Sequence, residues 1–332
     1  MTTQILIVDD EPANLATLRQ ILSPEYALVF ARSGHDALHM ATKHRPDLIL
    51  LDIQMPDMSG YEVCRELKKD VNTNGIPVIF ITSLSEVGDE AAGFEVGAVD
   101  FILKPVTPLL VRARVRAHLS LVSAIQLERS YLEAISMLGV ASEVKDIDTG
   151  VHIWRMASYS RALAAAIGYD EIQCKHIELA APMHDVGKLG IPDIILRKPG
   201  ALDPSERSIM QRHSEIGFKI LSKSNAPILQ MAAMIALHHH EKWDGSGYPR
   251  GLVGEAIPEV ARIVAIADVF DALRMVRPYK AAWPLEQVIE ALTNGAGKHF
   301  DPNLVRHFIG ILPQILALEA DWSRKEREDL YL

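Results

Sequence analysis

Short apolar runs recur through the first hundred residues, and most end on a polar group. Ile5-Leu-Ile-Val8 runs into Asp9-Asp10-Glu11, and Ala27-Leu-Val-Phe30 is a second run. Leu48-Ile-Leu-Leu51 stops at Asp52, Val78-Ile-Phe-Ile81 at Thr82-Ser83, and Asp100-Phe-Ile-Leu103 at Lys104-Pro105. Between them lie helix-compatible stretches, such as Asn14 to Leu22 and His35 to Lys43. Buried strands alternating with helices predict an α/β doubly wound domain, a parallel sheet covered on both faces, over residues 1–120. From Leu109 to Val144 there is no proline and a single glycine, Gly139. Leu119, Val122, Ile125, Tyr131, Leu132, Ile135 and Leu138 recur there among Arg112, Arg114, Arg116, Glu128 and Arg129. That pattern predicts a helical connector over 107–140, overlapping the domains at both its ends. A helix of about 35 residues would span roughly 50 Å. It either packs on its own domain or pairs with a second copy.

Beyond the connector, no alternating pattern competes with helical ones. Helices are predicted over Asp148 to Ile167, Asp170 to Met183, Pro204 to Leu221, Ile228 to Leu237, Pro258 to Leu273 and Pro284 to Thr293, with a helical tail from Leu312. Pro204 and Pro284 sit where a first helical turn tolerates proline. Residues 136–332 therefore read as an all-α domain.

Composition narrows the class. A chain of 332 residues, 48% apolar, holds two cores comfortably. A formal charge of −9 opposes general contact with DNA. Cys64 and Cys174 are the only cysteines and form no CxxC pair, which fits a reducing compartment. Met1-Thr-Thr-Gln leads straight into a strand-like run, without the charged and apolar regions of a signal peptide. No uninterrupted apolar run reaches membrane-spanning length. A soluble, cytoplasmic protein with no membrane partner is the expectation.

Two groups of residues carry candidate chemistry. In a parallel sheet the ligand site lies beyond the carboxyl ends of the strands. Asp9, Asp10 and Asp52 would converge there, facing Thr82 and Lys104. Crowded carboxylates repel unless a hard cation such as Mg²⁺ neutralises them. One aspartate at a strand end is ordinary turn chemistry; five such residues on successive strands make a site. In the second domain, Asp148 and His152 share a helical face. His184-Asp185, His213, His238-His239-His240 and Asp268 follow on other helices. Lone histidines such as His118, His176 and His307 read as surface or packed residues. If 184–188 is helical, Lys188 lies on the same face as His184 and Asp185. Imidazoles and carboxylates converging inside a bundle make a multinuclear metal site. Two metals about 3.5–4 Å apart can hold both oxygens of an in-line phosphoryl displacement. The donor mix fits Fe, Mn, Co or Ni and leaves Zn open.

The first domain resembles a response-regulator receiver across residues 3 to 120, which implies a flavodoxin-like fold. The resemblance makes Asp52 the phosphoacceptor, served by a sensor histidine kinase. Asp9 and Asp10 become the Mg²⁺-binding pair, Thr82 the hydroxyl that reports phosphorylation, and Phe101 the aromatic switch. Lys104-Pro105 matches a peptide that is usually cis in the family, and Met55-Pro-Asp-Met-Ser-Gly60 matches the loop after the phosphoacceptor.

The second domain resembles the HD-GYP subgroup of the HD phosphohydrolases. The resemblance rests on His184-Asp-Val-Gly-Lys-Leu-Gly-Ile-Pro192 and on His239-His-Glu-Lys-Trp-Asp-Gly-Ser-Gly-Tyr-Pro249. Ile257 to Ile263, Arg277-Pro-Tyr279 and His299-Phe-Asp-Pro302 add to it. The whole chain is similar to response regulators of the RpfG type. This implies hydrolysis of cyclic di-GMP to pGpG, GMP or both, with selectivity against cyclic GMP-AMP left open. It makes His152, His184, Asp185, His213, His239, His240 and Asp268 metal ligands, with Asp185 bridging. Asp148 stands where some members use a glutamate for a third metal; being shorter, it leaves two or three metals open. His238 reads as a neighbour of the ligands. His184, Asp185 and Lys188 carry catalysis, with Lys188 on the scissile phosphate. Arg277 and Lys280 would hold phosphate or guanine. Tyr248 would shape the pocket, and Asp146 and Asp271 would meet the guanine edge or support neighbouring groups. A homodimer through the connector is expected. The alternative is a catalytically weak sensor that signals to protein partners such as GGDEF-type cyclases.

Overall fold

The computed structural model describes residues 3–83, 93–143, 151–275 and 282–328. The chain divides into two units, Met1–Ser130 and Tyr131–Leu332. In order, the first part of the chain forms β1 (Gln4–Val8), α1 (Pro12–Leu22), β2 (Ala27–Ala31), α2 (Gly34–His44), β3 (Leu48–Asp52), α3 (Gly60–Lys69), β4 (Val78–Thr82), β5 (Asp100–Leu103) and the long α4 (Pro108–Glu143).

All strand pairings are parallel, in the order β2-β1-β3-β4-β5. Every residue of β3 and β4 is buried, because helices cover both faces, and this explains their unbroken apolar runs. Ile7 pairs with Leu50 and Phe80 with Phe101, so the polar residues that follow each run emerge together at one edge. Strand order reverses beside β1, the place where doubly wound sheets bind ligands. Asp9 and Asp52 stand there. Helix α3, which the apolar pattern did not single out, is closed by a capping box between Ser59 and Glu62. It buries Val63, Cys64 and Leu67 at helical spacing. Its first residue must be glycine: a Cβ on Gly60 would lie 2.3 Å from the Asp52 carbonyl oxygen.

The second unit is helical: α5 (Val151–Ala166), α6 (Glu171–Ala180), α7 (Asp193–Leu196), α8 (Pro204–Gln211), α9 (His213–Leu221), α10 (Pro227–His238), α11 (Glu259–Arg274), α12 (Leu285–Gly295), α13 (Pro302–Gly310) and α14 (Leu312–Arg327). Asp170 and Asp203 make capping boxes that start α6 and α8. Tyr159, Phe270 and Phe308 lie fully buried in one core, edge to face in sequence.

Two expectations need correction. The segment around His184 is not α-helical. Helix α6 ends at Ala180 and gives way to two 3₁₀ turns, Ala181–Met183 and Val186–Gly190. Pro182 supplies no N–H to continue the ladder, and Asp185 leaves helical geometry at φ −101° and ψ 8°. The long helix expected over Pro204 to Leu221 breaks at Arg212. There the Met210 carbonyl is occupied by the His213 imidazole at 2.8 Å.

Candidate active site

The site of the first unit is built from strand ends. Lys104 Nζ lies 2.8 Å from Asp52 Oδ2 and 3.0 Å from Asp9 Oδ2. The other oxygen of Asp9 is held by the Glu11 N–H at 2.9 Å and the Asn14 amide at 3.0 Å. Oxygens of Asp9, Asp10 and Asp52 come within 4.8 Å of one another, a spacing that one hard cation can share. A cleft of about 480 Å³ opens beside Asp9, lined also by Asn14, Thr17, Lys104 and Pro105. Burial pushes the Asp52 carboxyl above its usual range, with Asp9 adding to the rise, against the pull of Lys104. Thr82 is buried at the end of β4. Phe101 is buried between Phe80 and Phe94, at 5.5 and 5.1 Å between ring centroids. The Lys104–Pro105 peptide is cis. The loop after Asp52 is tied down by Asp57, which accepts from the N–H groups of Gly34 and His35.

The site of the second unit gathers imidazoles around one carboxylate. His213 begins α9, His239 caps α10, and His184-Asp185 lies between the 3₁₀ turns. Their close approach depends on Gly187, where a Cβ would fall 1.8 Å from the His213 carbonyl oxygen. Asp185 turns its two oxygens in different directions. Oδ1 faces His213 Nε2 at 3.3 Å and His239 Nε2 at 3.7 Å. Oδ2 faces His184 Nε2 at 3.2 Å and Lys188 Nζ at 2.7 Å. Lys188 thus reaches Asp185 although the segment is not the helix its spacing implied.

Each of these imidazoles is anchored through its other nitrogen. Nδ1 of His184 lies 3.1 Å from the Ala181 carbonyl and Nδ1 of His213 2.8 Å from that of Met210. Nδ1 of His239 lies 3.1 Å from the Ala236 carbonyl. A carbonyl only accepts, so Nδ1 carries the proton and Nε2 presents a lone pair to the site. His213 Nε2 and His239 Nε2 then meet at 3.4 Å, lone pair toward lone pair. Among the described residues, Asp185 Oδ1 is buried without a hydrogen-bond donor. An electron-rich cavity of this kind fits a divalent metal. Asp185, His213, His239 and His240 each offer an atom within one 4.8 Å cluster. Burial brings the His213 pKa down to about 4 and holds His240 well below its ordinary value, which keeps both neutral as ligands must be. Burial alone would raise the Asp185 carboxyl, but the Lys188 ammonium beside it holds it well below the usual range.

A second pair of helices carries His152 and Asp268. His152 Nε2 stands 3.7 Å from Asp268 Oδ1, and its Nδ1 is 2.5 Å from Asp271 Oδ2. Asp271 is fully buried, with Arg155 bonded to both of its oxygens. Of the two roles expected of Asp271, contact with a guanine edge and support of neighbouring groups, the first is corrected, since no face of it is open to a ligand, and its bond to His152 fits the second. Asp146, Asp148, Arg277 and Lys280 lie outside the described residues. His238 is buried and points Nδ1 toward Glu241 at 3.8 Å, apart from the cluster. Tyr248 stacks on His240, with 4.7 Å between centroids and 29° between planes.

Two contributors were not assigned a role from the sequence. Arg155 carried a legible signal, since it lies three residues after His152 and so shares its helical face. Glu241 was visible only as part of a motif. It is buried, and accepts from the N–H groups of Arg250 at 2.7 Å and Leu252 at 3.0 Å. In this way it secures the loop that carries Tyr248.

Comparison with known proteins places each part of the chain in a family. Residues 5–116 match the response regulator receiver domain, and residues 125–304 match the HD domain. The chain is 41% identical to the cyclic di-GMP phosphodiesterase response regulator RpfG of Xanthomonas campestris pv. campestris, over 91% of this chain and 85% of that protein. It is 40% identical to a probable cyclic di-GMP phosphodiesterase of Vibrio cholerae, over 92% of this chain and 77% of the relative. A 3'3'-cGAMP-specific phosphodiesterase 2 of Vibrio cholerae is 45% identical over 59% of this chain and 38% of its own length. With a receiver sheet at its start and a histidine-rich helical unit after it, the chain belongs to the response regulators that carry an HD domain, a family of metal-dependent hydrolases.

Proposed function

We propose that the protein hydrolyses cyclic di-GMP to pGpG, GMP or both, under the control of phosphorylation at Asp52 by a sensor histidine kinase. One observation carries the catalytic part. The buried Asp185 divides its two oxygens between separate groups of imidazole nitrogens, beside an ammonium 2.7 Å away. In this reading Asp185, His213, His239 and His240 hold one divalent ion, and His152, His184, Asp185 and Asp268 hold another. Asp148 is the proposed ligand of a third. Bound there, the ions supply Lewis acidity to the phosphodiester and activate water for attack.

The chain's own residues do the rest. Backbone carbonyls fix three imidazoles in the tautomer that ligates. Lys188 takes a non-bridging phosphate oxygen and offsets the charge that builds up on it. Tyr248, stacked on His240, walls the pocket. Arg277, Lys280 and Asp146 are proposed to hold the far phosphate and the guanines. In the receiver, Asp9, Asp10 and Asp52 would share Mg²⁺, while Lys104 would release its carboxylates to meet the incoming phosphoryl group. Exposed apolar residues on α4, Leu121, Leu127 and Met137, support pairing with a second copy. Among the described residues no helix is long and apolar enough to cross a membrane.

The test is turnover of cyclic di-GMP by protein loaded anaerobically with Mn²⁺ or Fe²⁺, with and without an acyl phosphate, products being resolved by chromatography. Formation of pGpG or GMP at a rate that responds to phosphorylation is the expected result. Bound metal and retained nucleotide without turnover would favour the sensor reading, with GGDEF-type partners. The likeness to a 3'3'-cGAMP-specific enzyme over 59% of this chain gives a second substrate reading. Cyclic GMP-AMP belongs in the same assay as a competitor.

A further inference from the structure

The four residues His152, Arg155, Asp268 and Asp271 form a lock between two helices. His152 and Arg155 lie three apart on α5, and Asp268 and Asp271 lie three apart on α11. Residues at that spacing share a helical face, so the two pairs meet as a block. His152 is held between the two aspartates. Asp271 takes its Nδ1 at 2.5 Å and Asp268 stands 3.7 Å from its Nε2.

Asp271 has no freedom left. It is 0% exposed and Arg155 is 2% exposed. The guanidinium grips the carboxylate with two nitrogens, Nε on Oδ1 and Nη2 on Oδ2, the latter at 2.8 Å. A planar two-pronged grip fixes the plane of a carboxylate, which a single ammonium does not. Because the plane of Asp271 is fixed, so is the direction from which it accepts the His152 proton. Behind Arg155 lies α14, whose Glu326 is 4.0 Å from Nη1. One turn along α5, Ser158 accepts from the indole N–H of Trp322 at 2.9 Å, which seats α14 against the same helix. At the same site His184, His213 and His239 lean through Nδ1 on backbone carbonyls of their own turns, whereas His152 leans through Nδ1 on a side chain of a distant helix.

We propose that Arg155 is a positioning residue: through Asp271 it sets the ring of His152 so that Nε2 faces Asp268, and it thereby governs binding of the ion those two share. The inference rests on the ligand assignment above. It adds an asymmetry, since loss of Arg155 weakens one ion and spares the one held by His213, His239 and His240.

Arg155→Met removes the grip, and Arg155→Lys keeps a charge without the fork. Full-length proteins are stripped with chelator and titrated with Mn²⁺ against a competing chelator. Bound ions are counted by mass spectrometry and cobalt-substituted samples are followed by visible absorption. In Arg155→Met one ion should weaken by about 10–100-fold while another keeps wild-type affinity. Arg155→Lys should fall between the two proteins. For turnover, kcat should fall with little change in KM. If both variants retain every ion at wild-type affinity and only melt earlier, Arg155 is a structural ion pair and the inference is overturned. Should Arg155→Met fail to fold, Arg155→Lys decides by the same criteria. If His152→Ala leaves the ion count of the wild-type protein unchanged, the ligand assignment falls and the inference with it. Unchanged binding in the arginine variants alone removes only the inference.

Discussion

Each unit holds an aspartate beside a lysine, yet the two pairs are prepared for opposite tasks. Asp52 lies 2.8 Å from Lys104, and Asp185 lies 2.7 Å from Lys188. The carboxyl of Asp52 is pushed up by burial and by Asp9, whereas that of Asp185, also buried, is held well below its usual range by the Lys188 ammonium. Neighbours decide the difference. Asp52 sits among carboxylates, and one ammonium serves two of them. A raised basicity would suit the acceptor role proposed for it. Asp185 sits among imidazoles and stays ionised, as a metal ligand must. Under the proposed function, the same residue pair would serve as an acceptor in an oxygen-rich setting and as a ligand in a nitrogen-rich one.

The sharpest way to break this contrast is to remove each aspartate. Asp185→Ala should lose bound divalent metal and turnover together, both falling to background in a metal count and a cyclic di-GMP assay. Equal metal and equal rate would overturn the assignment. Asp52→Ala should lose phosphoryl uptake from an acyl phosphate while the metal count of the helical unit stays at the wild-type value. Labelled-phosphate incorporation reads the first and mass spectrometry the second.

Close packing offers a smaller lever on each side. Gly187→Ala drives a methyl into the His213 carbonyl, where the 1.8 Å approach leaves no room. The cost is expected at about 1–3 kcal/mol or above, with metal loss, because His213 must move. Gly60→Ala meets the Asp52 carbonyl at 2.3 Å and should cost about 1–3 kcal/mol, slowing phosphoryl uptake while sparing metal in the second unit. Thermal melts and the two assays separate these outcomes.

A gentler probe is pH. The His213 pKa is depressed from 6.5 to about 4, so the unfolded chain binds the proton more tightly than the native one. Its contribution to stability is therefore full above about pH 6.5 and falls as the pH drops toward about 4. Asp271 is held below 3.8 against its own burial, by Arg155 and His152. Its contribution is present above about pH 4 and drains away as the pH falls through the lowered native value. Melting temperature of metal-free protein should thus decline in two stages on acidification, the second absent in Asp271→Asn. The smallest effect is expected from Tyr248→Phe, which keeps the stack on His240 and should change turnover by less than about tenfold.

Much of this was legible along the chain. The five strands, the polar residues at their ends and the histidines and aspartates of the second unit follow from local patterns. So does α4, whose span of Pro108–Glu143 is close to the one periodicity gives. Helix α3 does not stand out from the apolar pattern, and its capping box and the burial of Val63, Cys64 and Leu67 make it plain in the structure. The helix expected through His184 failed because Pro182 and the close approach of Gly187 to α9 redirect the backbone. Of the two roles expected of Asp271, the substrate contact failed and the supporting one fits, because its partners, 116 and 119 residues away in sequence, enclose it.

Sequence by itself determined the element types, the sheet with its acidic edge, and the kinds of donor atom available for a metal. These depend on periodicity and residue chemistry, which are local. Only the tertiary structure decided which imidazole nitrogen faces inward, how Asp185 divides its oxygens, and that Arg155 stands behind His152. Those are relations between segments far apart in the chain. Their outcome rests on packing distances of a few tenths of an ångström, which no pattern of apolar and polar residues encodes.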